Sequence, residues 1–142
     1  MLDRQVDPRI ALALIGAVIM AVGSVGPWVT ALGGTLGYNG TAGDGNITLI
    51  CAIACGVAVV IAADGLPVGI VAVLAAIVGG GVGLYDLVHI SNVIGGSPLV
   101  QVGWGLYAVV VGGVLSTIGT IGARQRLGRP SEPAAPAPHP FT

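Results

Sequence analysis

The side chains able to do chemistry are few and scattered. Asp86 and His89 stand three residues apart, close enough to share a helical face. A carboxylate beside an imidazole can orient it, help hold a metal or pass a proton. Asp44 is the one other obvious member of such a set, but Asp44-Gly45-Asn46 directly precedes an apolar run and reads first as a helix cap. Two ligands do not make a metal site. The plainer expectation is an interfacial polar pair ending a helix, with Asp44 as a cap or turn residue.

Cys51 and Cys55 lie four apart on one predicted helix, on the same face. They have no nearby His or carboxylate on that helix, so small apolar packing groups are favoured over redox or lipidation sites. A disulfide framework is excluded in practice. No Gly-x-Ser-x-Gly, paired carboxylates, His/Cys cluster or phosphate-binding loop is present. The chain is therefore not expected to be an enzyme, and no cofactor, catalytic residue or metal ligand is assigned.

Almost everything else serves to position the chain in lipid. Four stretches without a charged side chain run over 10–28, 47–63, 66–84 and 102–123 of the 142 residues. At ~1.5 Å rise per residue each can cross a hydrocarbon core of ~30 Å, the second only just. Charged residues are 8% of the chain and mean hydropathy is +0.96, against about 25% charged in soluble domains. The fold expected is all-α, an antiparallel four-helix transmembrane bundle. A net charge of −1 leaves no basic stripe for nucleic acid.

All five basic residues flank the outermost spans: Arg4 and Arg9 before the first, Arg124, Arg126 and Arg129 after the fourth. An even number of crossings and the positive-inside rule then place both termini in the cytoplasm. The loops over 29–46 and 85–101, free of Lys and Arg, face outward. A cleavable signal peptide is the rival reading of the first span. Its apolar core is longer than the ~7–15 residues usual for one, and Asp3 and Asp7 offset the arginines. Asp64-Gly65-Leu66-Pro67 is expected to be a tight turn joining spans two and three, with Asp64 a solvated carboxylate rather than a proton carrier. Residues 124–142 form a basic, then Pro/Ala-rich tail expected to be disordered, and His139 within it carries no site argument.

Twenty-five glycines are too many for loops to absorb. Ala108, Gly112, Ser116 and Thr120 recur every four residues in span four, with Gly105 and Gly119 near the same face. Ala72, Ala76 and Gly80, and beside them Ala75, Gly79 and Gly83, do so in span three. Ala54, Ala58 and Ala62 mark span two, and Ala13, Ala17 and Ala21 span one. Such rows let helix backbones approach closely when lipid removes the hydrophobic drive. Gly79-Gly80-Gly81 invites a kink or unusually close packing. Polar groups in the spans are few, Ser24, Thr48, Ser116 and Thr120 among them, which favours backbone bonding over a passage.

In the first outer loop, Trp28 to Leu32 and Thr35 to Tyr38 are β-capable runs around Gly33-Gly34, a two-residue hairpin turn. Trp28 and Trp104 belong at the lipid headgroup level, with Tyr38 and Tyr107 adding to that belt. Trp28, Tyr38, Asp44, Asp86, His89 and Trp104 are the outer-loop contact candidates. Asn39-Gly40-Thr41 and Asn46-Ile47-Thr48 match the glycosylation pattern, a cheap match in so Gly/Thr-rich a segment.

Gly26-Pro27-Trp28-Val29 closing span one, Gly43-Asp44-Gly45 entering span two and Val102-Gly103-Trp104-Gly105-Leu106 opening span four resemble a type of small four-span actinobacterial, mycobacterial-type integral membrane protein. The likeness covers about residues 10–123. It implies a plasma-membrane location and membership of a larger assembly, and it carries over no catalytic residue. The leading expectation is a non-catalytic accessory or stabilising subunit of a bacterial plasma-membrane complex, with an envelope lipid importer or a respiratory supercomplex as examples of hosts. Its partners would be the lipid bilayer and other integral membrane proteins. The alternatives are a homo-oligomeric pore or carrier gated at Gly79 to Gly83, and a metal- or ligand-sensing protein built on Asp44, Asp86 and His89.

Overall fold

A computed structural model describes residues 7–63 and 69–127, with side chains to residue 123. The chain is mostly helical: α1 (Pro8–Val25), α2 (Gly45–Ala63), α3 (Gly69–Ile94) and α4 (Trp104–Leu127). Each of these four helices is long and apolar enough to cross a membrane. Three short strands, β1 (Pro27–Ala31), β2 (Leu36–Asn39) and β3 (Val100–Val102), form one antiparallel sheet in the order β2-β1-β3. The helices pack as a ring, α1 against α2, α2 against α3, α3 against α4, and α4 back against α1.

Local chemistry sets the helix ends. Asp7 caps α1 by accepting the Arg9 N–H at 2.9 Å, and Pro8 occupies the first turn, where its missing donor costs nothing. Gly26-Pro27 stops the same helix, so the first apolar stretch is helix to Val25 and strand beyond it. α3 runs ten residues further than the expected end at Leu84. No Gly or Pro occurs between Leu84 and Gly95, and Leu87 and Ile90 find a surface on the cluster of Trp28, Leu106 and Val109. Gly95, at φ +55°, and Gly96, at φ +80°, end it in the left-handed region, which glycine enters without steric cost. Val102, expected to open span four, belongs to β3, and α4 begins at Trp104.

The tightest seam joins α1 and α4, which run antiparallel. A Cβ on Gly16 would lie 2.5 Å from the Ser116 nitrogen; one on Gly23, 2.6 Å from the Gly105 oxygen; one on Gly112, 2.5 Å from the Met20 nitrogen; one on Gly119, 2.5 Å from the Ala13 nitrogen. Backbone therefore touches backbone along the whole seam, the geometry in which dispersion and polar bonds hold helices without a hydrophobic drive. Ser116 adds a bond from its hydroxyl to the Ala13 carbonyl at 3.0 Å. Arg9 donates to the Gly122 carbonyl at the far end.

The interior is filled by small and flexible groups. Ala13, Ala17, Cys55, Ala58, Val59, Ala72 and Ala76 form one cluster; Met20, Trp28, Ala52, Leu106 and Val109 form the other, nearer the sheet. The three central glycines of α3 each meet something different, and the helix stays unbroken across them. Gly79 packs on Met20 and Cys51, Gly80 on Gly113, and Gly81 faces open space. The row of Ala72, Ala76 and Gly79 thus faces the interior, while the large side chains Ile70, Val71, Leu74, Ile77 and Val78 are exposed.

The sheet caps one end of the bundle. In β1, Val29, Thr30 and Ala31 face Tyr38, Gly37 and Leu36 on one side and Val102, Gln101 and Val100 on the other. The expected two-residue turn is longer in fact: Leu32 to Thr35 connects the strands, with φ positive at Leu32, Gly33 and Gly34. A positive φ at leucine is sterically unfavourable; pairing of the Leu32 N–H with the Leu99 carbonyl at 3.0 Å holds it there. The third strand, from the second loop, was not foreseen. The expected turn over 64–67, Arg4, Arg129 and the Pro/Ala-rich tail lie outside the described residues.

Candidate functional site

Among the described residues, Ser24, Thr48 and Asp86 are the buried polar side chains towards the sheet end, while Ser116 and Thr120 lie further down the α1–α4 seam. Ser24 on α1 and Thr48 on α2 share a hydroxyl–hydroxyl bond of 2.7 Å, both fully buried. Ser24 also donates to the Met20 carbonyl at 2.8 Å, and Thr48 to the Gly45 carbonyl at 3.0 Å. Above them lies Trp28. The β1–β2 register slips between Pro27 and Val29, and such a bulge re-aims the residue it contains. Trp28 accordingly points into the bundle at 4% exposure and donates its indole N–H to the Gly23 carbonyl at 3.1 Å. Gly40 lies flat against the ring and the Ser24 carbonyl, and Gly45 lies against Gly40.

Trp28, expected as a member of the outer aromatic belt, thus turns into the bundle instead of outward. Aromatic character and a position beside Pro27 suit either role; the strand bulge and the glycine floor decide for burial. Trp104 is 55% exposed, and Tyr38 and Tyr107 are exposed as well. Tyr38 donates its hydroxyl to the Ala42 carbonyl at 2.7 Å, which braces the turn before α2. Asp44 is exposed; its backbone carbonyl takes the Ile47 and Thr48 N–H groups at 2.9 and 3.2 Å.

Asp86 and His89 part company. His89 is exposed, and its ring stacks on Tyr85 with centroids 5.9 Å apart and planes 7° from parallel. Asp86 turns inward from α3 and is 8% exposed. Its Oδ2 is the one buried side-chain nitrogen or oxygen without a hydrogen-bond partner among the described residues. The residue lies beyond the apolar stretch that ends at Leu84, towards the start of α2. The expected surface pair is thus corrected to one buried acid and one exposed aromatic stack. The helix turns 100° per residue, so a spacing of three leaves side chains some 60° apart, enough to separate them at a boundary.

Among the described residues, no three His, Cys, Asp or Glu side chains come together in a way that could hold a metal ion. Cys55 is fully buried and Cys51 half-buried, both as free thiols. The packing residues lie as follows: Gly105 and Gly112 on the α1 seam with Ser116, Gly79 on Met20 and Cys51, and Gly83 on Val109. Sequence reasoning had not paired Gly16 and Gly23 with that seam. The signal was present as a seven-residue repeat, 16 and 23 on one helix and 105, 112 and 119 on the other, the spacing that keeps one face against an antiparallel partner.

A second feature lies on the outside of the bundle. Between α3 and α4 runs an open groove of about 270 Å³, floored by Gly80, Gly81 and Gly113 and walled by Leu84, Val110 and Ile118. Thr117 lines it but turns its hydroxyl back to the Gly113 carbonyl at 2.8 Å, so the groove offers an apolar surface. Comparison with protein-family models, curated proteins and solved structures finds no match for this chain.

Proposed function

We propose that the chain is a multi-pass protein of the bacterial plasma membrane, both termini cytoplasmic, that serves as a non-catalytic accessory subunit of a larger membrane assembly. The arginines flanking the outermost apolar stretches support the orientation. The observation that carries the assembly role is the glycine-floored groove between α3 and α4. Small residues open to the membrane let a neighbouring helix backbone approach closely, and the partner expected there is an apolar transmembrane helix of another subunit.

Gly81 provides the test, because nothing lies within 4 Å of a Cβ built on it. Gly81→Leu fills the groove without disturbing the chain's own packing. Purification from native membranes in mild detergent, followed by mass spectrometry, should recover a reproducible partner with the natural chain and lose it with Gly81→Leu. A chain that always runs alone would refute the reading.

A further inference from the structure

We propose that Met20, Cys51 and Cys55 form an all-sulfur binding site for a soft monovalent cation, copper(I), between α1, α2 and α3. The proposal stands apart from the docking reading and uses different residues.

Three helices bring the sulfurs together. A Cβ on Gly79 of α3 would lie 2.9 Å from the Cys51 Cβ and 2.9 Å from the Met20 Sδ. The thioether and the Cys51 side chain therefore meet at one point, and α3 presents no side chain there. Cys55 follows one turn along α2, on the same face, and side chains so spaced have Cβ atoms about 5–6 Å apart. One ion can bond both sulfurs across that gap, since a metal–thiolate bond is about 2.3 Å long, taking zinc for scale. The same gap exceeds the roughly 3.5–4.5 Å between Cβ atoms that a disulfide needs, so the pair does not close on itself, and both cysteines are free thiols. Met20 and Cys55 are fully buried, and Cys51 is half-buried. Methionine is unbranched and flexible, so its sulfur can turn towards an ion held by the cysteines.

The donor set selects the ion. Thiolate and thioether sulfur are soft ligands that favour copper(I). Structural zinc takes four ligands, and among the described residues no His or carboxylate joins the cysteines to complete such a set. Binding leaves the interior uncharged. The S–H bond of one cysteine breaks, its electron pair forms the bond to the cation, and the proton passes to water. The second thiol and the thioether donate lone pairs as neutral ligands. The site thus carries no net charge before or after binding, which avoids the large cost of burying an unpaired charge. The ion enters and stays as copper(I), so no electron moves. Cys51, the one member of the three with surface exposure, is the point of entry.

The test is titration of the full chain in detergent micelles with copper(I), kept reduced by ascorbate, in competition with a chromogenic copper(I) chelator. The natural chain should take a single ion from the chelator and release a single proton. Cys51→Ser and Cys55→Ser should each lose that uptake. Met20→Leu keeps the side-chain volume and should weaken binding by at least the roughly tenfold typical of losing a supporting group at a metal. No uptake by the natural chain, or unchanged affinity in any one of the three variants, would overturn the proposal. Should a variant fail to fold, X-ray absorption at the copper edge of the loaded natural chain decides instead. A first shell of sulfur alone supports the site, and nitrogen or oxygen donors in that shell overturn it.

Discussion

Adding one methyl group at Gly112 should weaken the bundle measurably, while the same change at Gly81 should not. At Gly112 the new Cβ would sit 2.5 Å from the Met20 nitrogen, 2.6 Å from the Gly16 oxygen and 2.9 Å from the Met20 Cα. All three are backbone atoms, so no side chain can rotate away. Ordinary contact begins near 3.4 Å, so α1 and α4 must part by about 0.9 Å at this level. A gap of that order forfeits roughly a quarter to a half of each contact's dispersion energy, and overfilling a packed interior costs about 1–3 kcal/mol. The equally tight approaches at Gly16 and Gly119 prevent the pair from hinging locally. Against this, Ala gains up to about 1 kcal/mol over Gly in helix propensity, so Gly112→Ala should be destabilised by a net ~1–2 kcal/mol. Gly81→Ala keeps only the gain and should be neutral or stabilised. The assay is equilibrium unfolding in mixed micelles, followed by helical circular dichroism as denaturing detergent is added. A Gly112→Ala chain as stable as the natural one, or a Gly81→Ala chain equally weakened, would refute the packing argument.

Two further outcomes follow from the sheet end and the seam. Trp28→Ala should cost about 3–5 kcal/mol, the range for removing a buried aromatic, and should uncouple the sheet from the helices; hydrogen exchange at Val29, Thr30 and Ala31 would then rise, whereas Trp28→Phe should keep most of the protection. Ser116→Ala removes one interhelical bond to the Ala13 carbonyl and should cost only about 0.6 kcal/mol, the average for such bonds in membrane helices, by the same detergent titration; a loss several times larger would show that the hydroxyl does more than tie α4 to α1.

Four long apolar helices were legible because their signal is local. A run without charge, and small residues recurring every four or seven positions, can be read from neighbours in sequence alone. The stops at Gly26-Pro27 and at Gly95 are backbone properties of the residues themselves, although the expected ends lay at Trp28 and Leu84. The extension of α3 beyond Leu84 was less legible, because hydropathy falls there while helical packing of Leu87 and Ile90 continues.

Composition and spacing thus determined the number of helices, their small-residue faces and the arginine placement at the ends. Tertiary structure alone decided that β3 joins β1 from some seventy residues away, that a register slip turns Trp28 inward, and that Asp86 rather than His89 meets the interior. The reason is physical: periodicity marks a face, but which face is buried depends on a partner surface supplied by a distant segment. For Trp28 that surface is Gly40; for Asp86 it lies at the sheet end of the bundle, and neither is visible until the helices have closed around them.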